Sequence, residues 1–546
     1  MALGTLISRV LGMIRSPILL TLVVGLNSPI ASSFDVANQL PNIVFNIIAG
    51  GLINAVLVPA IVQAAERDKG GDSPFINKLI TIAIIILGAI TTIITICAPL
   101  VVKAFASTMT EEWYQVTVIF AYWCLPQIFF YGMYAVLGQI LNARESFGPY
   151  TWAPVVNNIV AIVGFVIILL IFKSPTPEQT QDIALWTGAR QLMLAIFSTA
   201  GVVAQALVLF IPLRRVGIHY RPDFHWRGTG LGTAGKASFW VLMTTLTGTV
   251  TLTVMSNVNA GTYARAQELG IDPATVAGNA AHTVANSIYY LPISLVAVSI
   301  TTATFTKISR AAAKKDLRKV TSISAQTTNI LSTFMLLASV LMLILAYPLA
   351  RIFVPGGSEA EIQSLARIIM LAAFTVPPSA LTLVYKNICF AFNDTRGAFF
   401  MILPSQVLNT IGILLCALLP PQYTVAATEI VFFFGNSLST LCLMYYSRKI
   451  IGRIGGWYIL RTHLYLVIVS VICALIGFFA IKWIGFSAVS TNMLIAALTI
   501  IAATIVITAL YILLGKLFRI SQVNEMYSLV QKAIRTVIGK VFARTR

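Results

Sequence analysis

Residues 3–26 read LGTLISRVLGMIRSPILLTLVVGL, an apolar run long enough to cross about 30 Å of hydrocarbon as one helix. Two arginines, Arg9 and Arg15, interrupt it. An arginine at the bilayer midplane costs roughly 2.5–3.5 kcal/mol on the insertion scale, so it is expected to face a polar interior. Six residues apart, the two differ by about 9 Å of rise and ~120° of azimuth, and can border one cavity at two depths. A cavity lined by guanidinium groups with few acidic neighbours suits an anion, and the guanidinium fork suits phosphate. Arg9, close to the N-terminus, is equally explained by snorkelling to the headgroups. Arg15 lies deeper and is the stronger functional candidate.

The rest of the chain fits that opening. Its 546 residues are 58% hydrophobic and 10% charged, which places it among all-α polytopic membrane proteins; long apolar runs without strand alternation exclude a barrel. No basic n-region or small-residue cleavage site precedes the first run, so that span is expected to be retained. The six cysteines all fall in apolar spans without metal-ligand spacing, so neither a disulfide framework nor a zinc site is expected.

Fourteen transmembrane helices are expected, over residues 3–26, 34–64, 79–105, 115–141, 151–172, 188–212, 237–259, 278–305, 325–353, 363–391, 398–420, 424–446, 464–484 and 492–514. The net charge of +19 is concentrated in loops after even-numbered spans, for example Arg214, Arg215 and Arg221, or Lys314, Lys315 and Arg318. By the positive-inside rule both termini are cytoplasmic. The basicity thus follows topology, and no nucleic-acid partner is implied.

A weak parallel repeat runs through the chain. Leu40-Pro41 recurs as Leu291-Pro292, Arg67 as Arg318 and Asn142 as Asn393, all at an offset of 251 residues; Pro154 corresponds to Pro404 and Asn158 to Asn409. Six spans per unit return the chain to the same side, so the halves are parallel, as in transporters with a site between lobes. The expected domains are a six-helix lobe over 1–212, a second over 237–446, two additional helices over 464–514 and a basic amphipathic cytoplasmic tail over 515–546.

Polar residues within spans are the remaining candidates. In span two Asp35, Asn38, Asn42 and Asn46 fall at i, i+3, i+7 and i+11 on one helix face, beside Gln39 and Asn54. Such a stripe lines a wet cavity or a helix contact. His282 and Asn286 share a face of span eight, just before Leu291-Pro292. Six threonines of span seven, from Thr244 to Thr253, satisfy freed carbonyls or line a path, and Glu429 reads as a wet residue near the external surface. Gly230 to Lys236 matches GxxxxGK, but Ala237 stands where a P-loop needs Ser or Thr. No metalloprotease or nucleophile-elbow pattern is present in the sequence. No catalytic residue, metal or cofactor is expected.

Several motifs carry a family resemblance: Ser8-Arg9-Val10-Leu11-Gly12 followed by Arg15, Leu40-Pro41-Asn42, Ala49-Gly50-Gly51, NAVLVPAI over 54–61 and APVVNNI over 153–159. Together they closely resemble the MurJ/MviN family of lipid II flippases, within the multidrug/oligosaccharidyl-lipid/polysaccharide exporter superfamily. The resemblance covers spans one to twelve and is similar in character to actinobacterial members, some of which carry a further cytoplasmic domain. It implies two lobes around a cationic cavity formed mainly by spans one, two, seven and eight. It also implies a groove for the undecaprenyl tail along spans thirteen and fourteen. Arg9 and Arg15 match the family's two functional arginines of the first span. Other family positions differ: an acid falls at Ser32 and an arginine at Phe45, and the span-eight arginine and glutamate fall at Ser287 and Tyr290. Asp35, nearly one turn beyond Ser32, is the candidate substitute.

The resemblance therefore implies a monomeric flippase in the bacterial plasma membrane. It would move lipid II, the undecaprenyl-pyrophosphate-linked saccharide-peptide, from inner to outer leaflet by alternating access, for cell-wall biogenesis and cell shape. Its substrate-binding residues would be Arg9, Arg15, Asp35, Asn38, Asn42, Asn46, His282 and Asn286; membrane lipids and other cell-wall synthesis proteins are the expected partners. The alternatives are another exporter of the superfamily, carrying polysaccharide-lipid or drug and cation, and an integral-membrane enzyme acting on polyprenyl substrates. The drug exporter would show buried carboxylates, and the enzyme an acidic cluster at a cytoplasmic loop.

Overall fold

The computed structural model describes residues 2–49, 74–224, 236–453, 456–524 and 528. Asn54, the 54–61 run, Arg67, the GxxxxGK loop up to Gly235 and nearly all of the basic tail lie outside them. Every regular element among the described residues is helical. Among the described residues thirteen helices are long and apolar enough to cross a membrane, and they coincide with thirteen of the fourteen expected spans. The other, span two, is described only in its first part, as a helix over Pro29–Ile48.

Two compact units emerge. The first comprises Met1–Val284, Phe353–Glu361 and Thr410–Val425. Its first helix runs as α1 (Ala2–Met13), a π-helical stretch (Ile14–Leu20) and α2 (Thr21–Val24). Pro17 lies inside the π stretch and cannot donate to the helix ladder, which relaxes there to the wider turn. Gly25 then breaks the helix at φ +76°, a conformation that favours glycine. Ser28 starts α3 (Pro29–Ile48) by accepting from the Ala31 N–H, with Pro29 in the first turn where no donor is needed.

The chain continues through α4 (Pro74–Ile96), α5 (Ala98–Ala106), α6 (Glu111–Cys124), α7 (Gln127–Ala143), α8 (Phe147–Phe172), α9 (Ala189–Leu207) and α10 (Phe210–Arg215). α11 (Lys236–Ala260), α12 (Thr262–Glu268) and α13 (Asn279–Pro292) follow. Glu111 and Glu112 occupy the first turn of α6, where the helix dipole favours them. One core joins α3 to α6, with Phe34 edge-on to Phe120 at 5.3 Å. Another joins α4, α7 and α9 around Leu79, Val136 and Ala206.

The second unit comprises Ala285–Ile352, Ile362–Asn409 and Ala426–Arg546. It is built from the end of α13 with a second π stretch (Ile293–Ala297), then α14 (Val298–Ala313), α15 (Leu317–Ile344), α16 (Ala346–Phe353), α17 (Glu359–Ala391), α18 (Thr395–Cys416), α19 (Pro421–Ile451), α20 (Gly456–Ile484), α21 (Phe486–Val489) and α22 (Met493–Leu517). The two helices beyond the repeat pack on α15. The Tyr511 hydroxyl donates to the Thr333 carbonyl at 3.2 Å, and Ser332 meets His463 at 2.6 Å. Ile520 and Val523, early in the expected tail, are buried in this core. Leu170, Leu418 and Leu513 are largely exposed, as are Trp457 and Trp483 near the two ends of α20, as lipid-facing helices and interfacial aromatics require.

Candidate functional site

Arg15 stands on the π stretch of the first helix, where the wider turn displaces it from ordinary helical register. Its Nη1 donates to the side-chain oxygens of Asn157 at 3.1 Å and Asn158 at 3.4 Å. Both asparagines lie on α8 and are buried. They are fixed in turn: Asn157 Nδ2 donates to Gln205 Oε1 on α9 at 2.8 Å, and Asn158 Nδ2 donates to the Ser8 carbonyl at 2.7 Å. Each amide thereby points its oxygen at the guanidinium.

Gly201 on α9 makes that approach possible. A Cβ there would lie 2.4 Å from Asn157 Oδ1 and 2.8 Å from the Asn157 carbonyl oxygen. The second unit repeats the device, with Gly435 of α19 against Asn409 of α18. Pro154 and Pro404 likewise both lie inside their helices.

The chemistry of the Arg15 site follows from its acceptors. Both are neutral amides, and among the described residues no carboxylate joins them. The positive charge therefore stays uncancelled in a half-buried position. Nη1 is committed to the asparagines, while Nε and Nη2 form the edge that can clamp two oxygens of one anion. Arg9 is half-buried, nearer the N-terminus of the same helix.

The amide stripe of α3 divides. Asp35 is buried, and its Oδ2 accepts from Gln39 Nε2 at 2.5 Å and from the Thr283 hydroxyl at 2.9 Å. Gln39 also donates to Thr283 Oγ1 at 2.6 Å. This triangle ties α3 to α13 beside His282, which is itself buried. Asn38 is half-buried, whereas Asn42 and Asn46 are exposed and linked to one another at 3.4 Å. Exposed amides at membrane depth belong to a wet surface rather than a lipid-facing one. Asn286 is half-buried one turn beyond His282.

One expectation changes, and of two alternatives for the threonines one is favoured. Glu429 is only 6% exposed, so it is a buried residue rather than a wet one. Thr244, Thr245, Thr247, Thr249 and Thr253 each donate to a carbonyl four residues earlier in their own helix, so they satisfy α11 itself. Reasoning from the sequence missed Asn157, Asn158, Gln205 and Gly201 as site residues. The signal was present as two consecutive amides in an otherwise apolar span, an arrangement too costly in lipid without a partner.

The family model described as lipid II flippase MurJ matches residues 26–498. A probable lipid II flippase MurJ of Rickettsia prowazekii (strain Madrid E) is 22% identical over 418 residues, covering 75% of this chain and 76% of that protein. Among solved structures, a lipid II flippase MurJ in an inward closed conformation superposes with a TM-score of 0.69 at 18% identity, over 95% of this chain and 99% of that one. An inward-facing MATE multidrug transporter of the MOP superfamily gives 0.60 at 15% identity, over 83% of this chain and 99% of that one. The structural likenesses give the fold, a multi-helix membrane architecture, and the family match covers most of the chain. The chain belongs to the lipid II flippase MurJ family.

Proposed function

We propose that this protein carries lipid II across the membrane from the inner to the outer leaflet, with Arg15 holding the pyrophosphate. The observation that carries the reading is the Arg15 cradle: a guanidinium fixed by two neutral amides, its charge uncancelled and its Nε/Nη2 edge left for an anion. A cation exporter would need the opposite polarity there. In this reading Arg9 assists at a shallower depth, and Asn38, Asn42 and Asn46 meet sugar or peptide groups. Asp35, His282 and Asn286 are the further substrate-binding candidates. Transport proceeds by alternating access of the six-helix lobes 1–212 and 237–446, in a monomer with both termini in the cytoplasm. Other cell-wall synthesis proteins are its expected partners.

The test is complementation of a flippase-depleted strain, with membrane abundance measured in parallel. Arg15→Ala should abolish complementation at normal abundance, and Arg15→Lys should restore it in part, because an ammonium supplies a point charge but no fork. Removing a lipid-facing arginine would instead relieve an insertion cost and do no harm. Full complementation by Arg15→Ala would overturn the anionic-substrate reading and favour a drug exporter.

A further inference from the structure

Ser358-Glu359-Ala360-Glu361 is a capping box at the start of α17. The Ser358 N–H donates to Glu361 Oε2 at 2.9 Å, and the Glu361 N–H donates to Ser358 Oγ at 3.3 Å. That task occupies one carboxylate oxygen. The other, Oε1, accepts two consecutive backbone N–H groups, from Leu26 and Asn27, both at 3.1 Å. These donors lie in the linker between the first helix and α3, just past the Gly25 break, where neither helix offers them an acceptor. Asn27 Nδ2 also donates to the Ala274 carbonyl at 2.7 Å, and the Thr21 hydroxyl lies 3.3 Å from the Phe353 carbonyl. Segments that follow spans one, seven and nine are thereby joined on the face that the charge distribution assigns to the outside.

Capping alone does not explain this use of Oε1. A permanent joint between these segments could be apolar. A carboxylate on backbone N–H groups is exchangeable, because both sides are well hydrated once water enters. We propose that Glu361 is a positioning residue for transport. Its Oε1 tie holds the outer end of the Arg15 helix against the Phe353–Glu361 segment, and it opens and re-forms in every cycle. This rests on the flippase reading above.

Glu361→Gln separates the two tasks, because glutamine serves in capping boxes but has a single acceptor oxygen. The reporter is Ser32→Cys, a near-isosteric change at a fully buried position early in α3. With Glu361→Gln, labelling of that cysteine by an impermeant thiol reagent from outside should rise roughly tenfold, the loss of charge-assisted bonds. Lipid II flipping in proteoliposomes should fall at unchanged protein amount. In a second variant, Asn27→Cys with Glu361→Cys, a short reducible bis-thiol cross-linker should stop flipping, and reduction should restore it to the uncross-linked level. Unchanged labelling and flipping in Glu361→Gln, or undiminished flipping by the cross-linked pair, would overturn the proposal and leave a static strap. If the Gln variant fails to accumulate, the cross-linked pair decides alone. If the parent protein flips no lipid II, the flippase reading fails by itself, and the labelling change still reports the tie.

Discussion

Gly201→Ala tests the Arg15 cradle without touching any group that meets substrate. The added Cβ would lie 2.4 Å from Asn157 Oδ1 and 2.8 Å from the Asn157 carbonyl oxygen, where ordinary contact begins near 3.4 Å. The side chain can rotate away, but only by leaving both Arg15 and Gln205. The backbone oxygen can retreat only if α8 and α9 part by about half an ångström. Overpacking of this kind costs about 1–3 kcal/mol, and the hydrogen bond from the arginine adds ~1.5–3 kcal/mol. Alanine's better helix propensity returns about 1 kcal/mol. The net expectation is a destabilisation of roughly 1.5–5 kcal/mol together with strongly reduced flipping. Thermal unfolding in detergent and a proteoliposome flipping assay read the two effects. Gly88→Ala is the matched control, since a Cβ there meets nothing within 4 Å; it should be neutral or slightly stabilising. If Gly201→Ala matches Gly88→Ala in both assays, α8 and α9 do not hold Arg15 as described.

Asn157→Asp should place a carboxylate on Arg15, cancel its charge and abolish complementation, while the thermal midpoint holds or rises; retained flipping would show that the uncancelled charge is not needed. Truncation after Gly515 removes the buried Ile520 and Val523 and should lower the thermal midpoint measurably, whereas truncation after Asn524 should leave both stability and flipping intact. Equal behaviour of the two truncations would show that these apolar residues add nothing to the α20–α22 core. A cysteine at Gly230, which lies outside the described residues, should stay unlabelled by an impermeant reagent applied to intact cells; labelling would refute the cytoplasmic placement of that loop.

What could be read from the sequence was whatever is written locally. Bilayer-length apolar runs announce helices because lipid leaves the backbone no other partner, so thirteen spans were recognisable from composition alone. Arg15 declared itself through its insertion cost. Its partners did not, because Asn157 and Asn158 are more than 140 residues away and nothing in their own span says which helix they face. The α3 stripe was legible as a stripe. Its division into a tied end at Asp35 and an exposed end at Asn42 and Asn46 depends on Thr283 of a distant helix. Glu429 misled for a related reason: proximity to a span's end suggests water, but neighbouring helices decide burial.

Trp457 and Trp483, 74% and 91% exposed, stand twenty-six residues apart on α20. At 1.5 Å per residue their rings are separated by about 39 Å along the helix, close to a hydrocarbon core plus a few ångströms of headgroup at each side. Indole rings settle at that boundary, so α20 carries a built-in measure of membrane thickness. In a bilayer several ångströms thinner or thicker, one ring leaves its preferred depth unless the helix tilts. Because α20 packs directly on α15, such a tilt loads the second unit from its lipid-facing side. Acyl-chain length thereby becomes a mechanical input to the transporter, separate from any chemistry of its cargo.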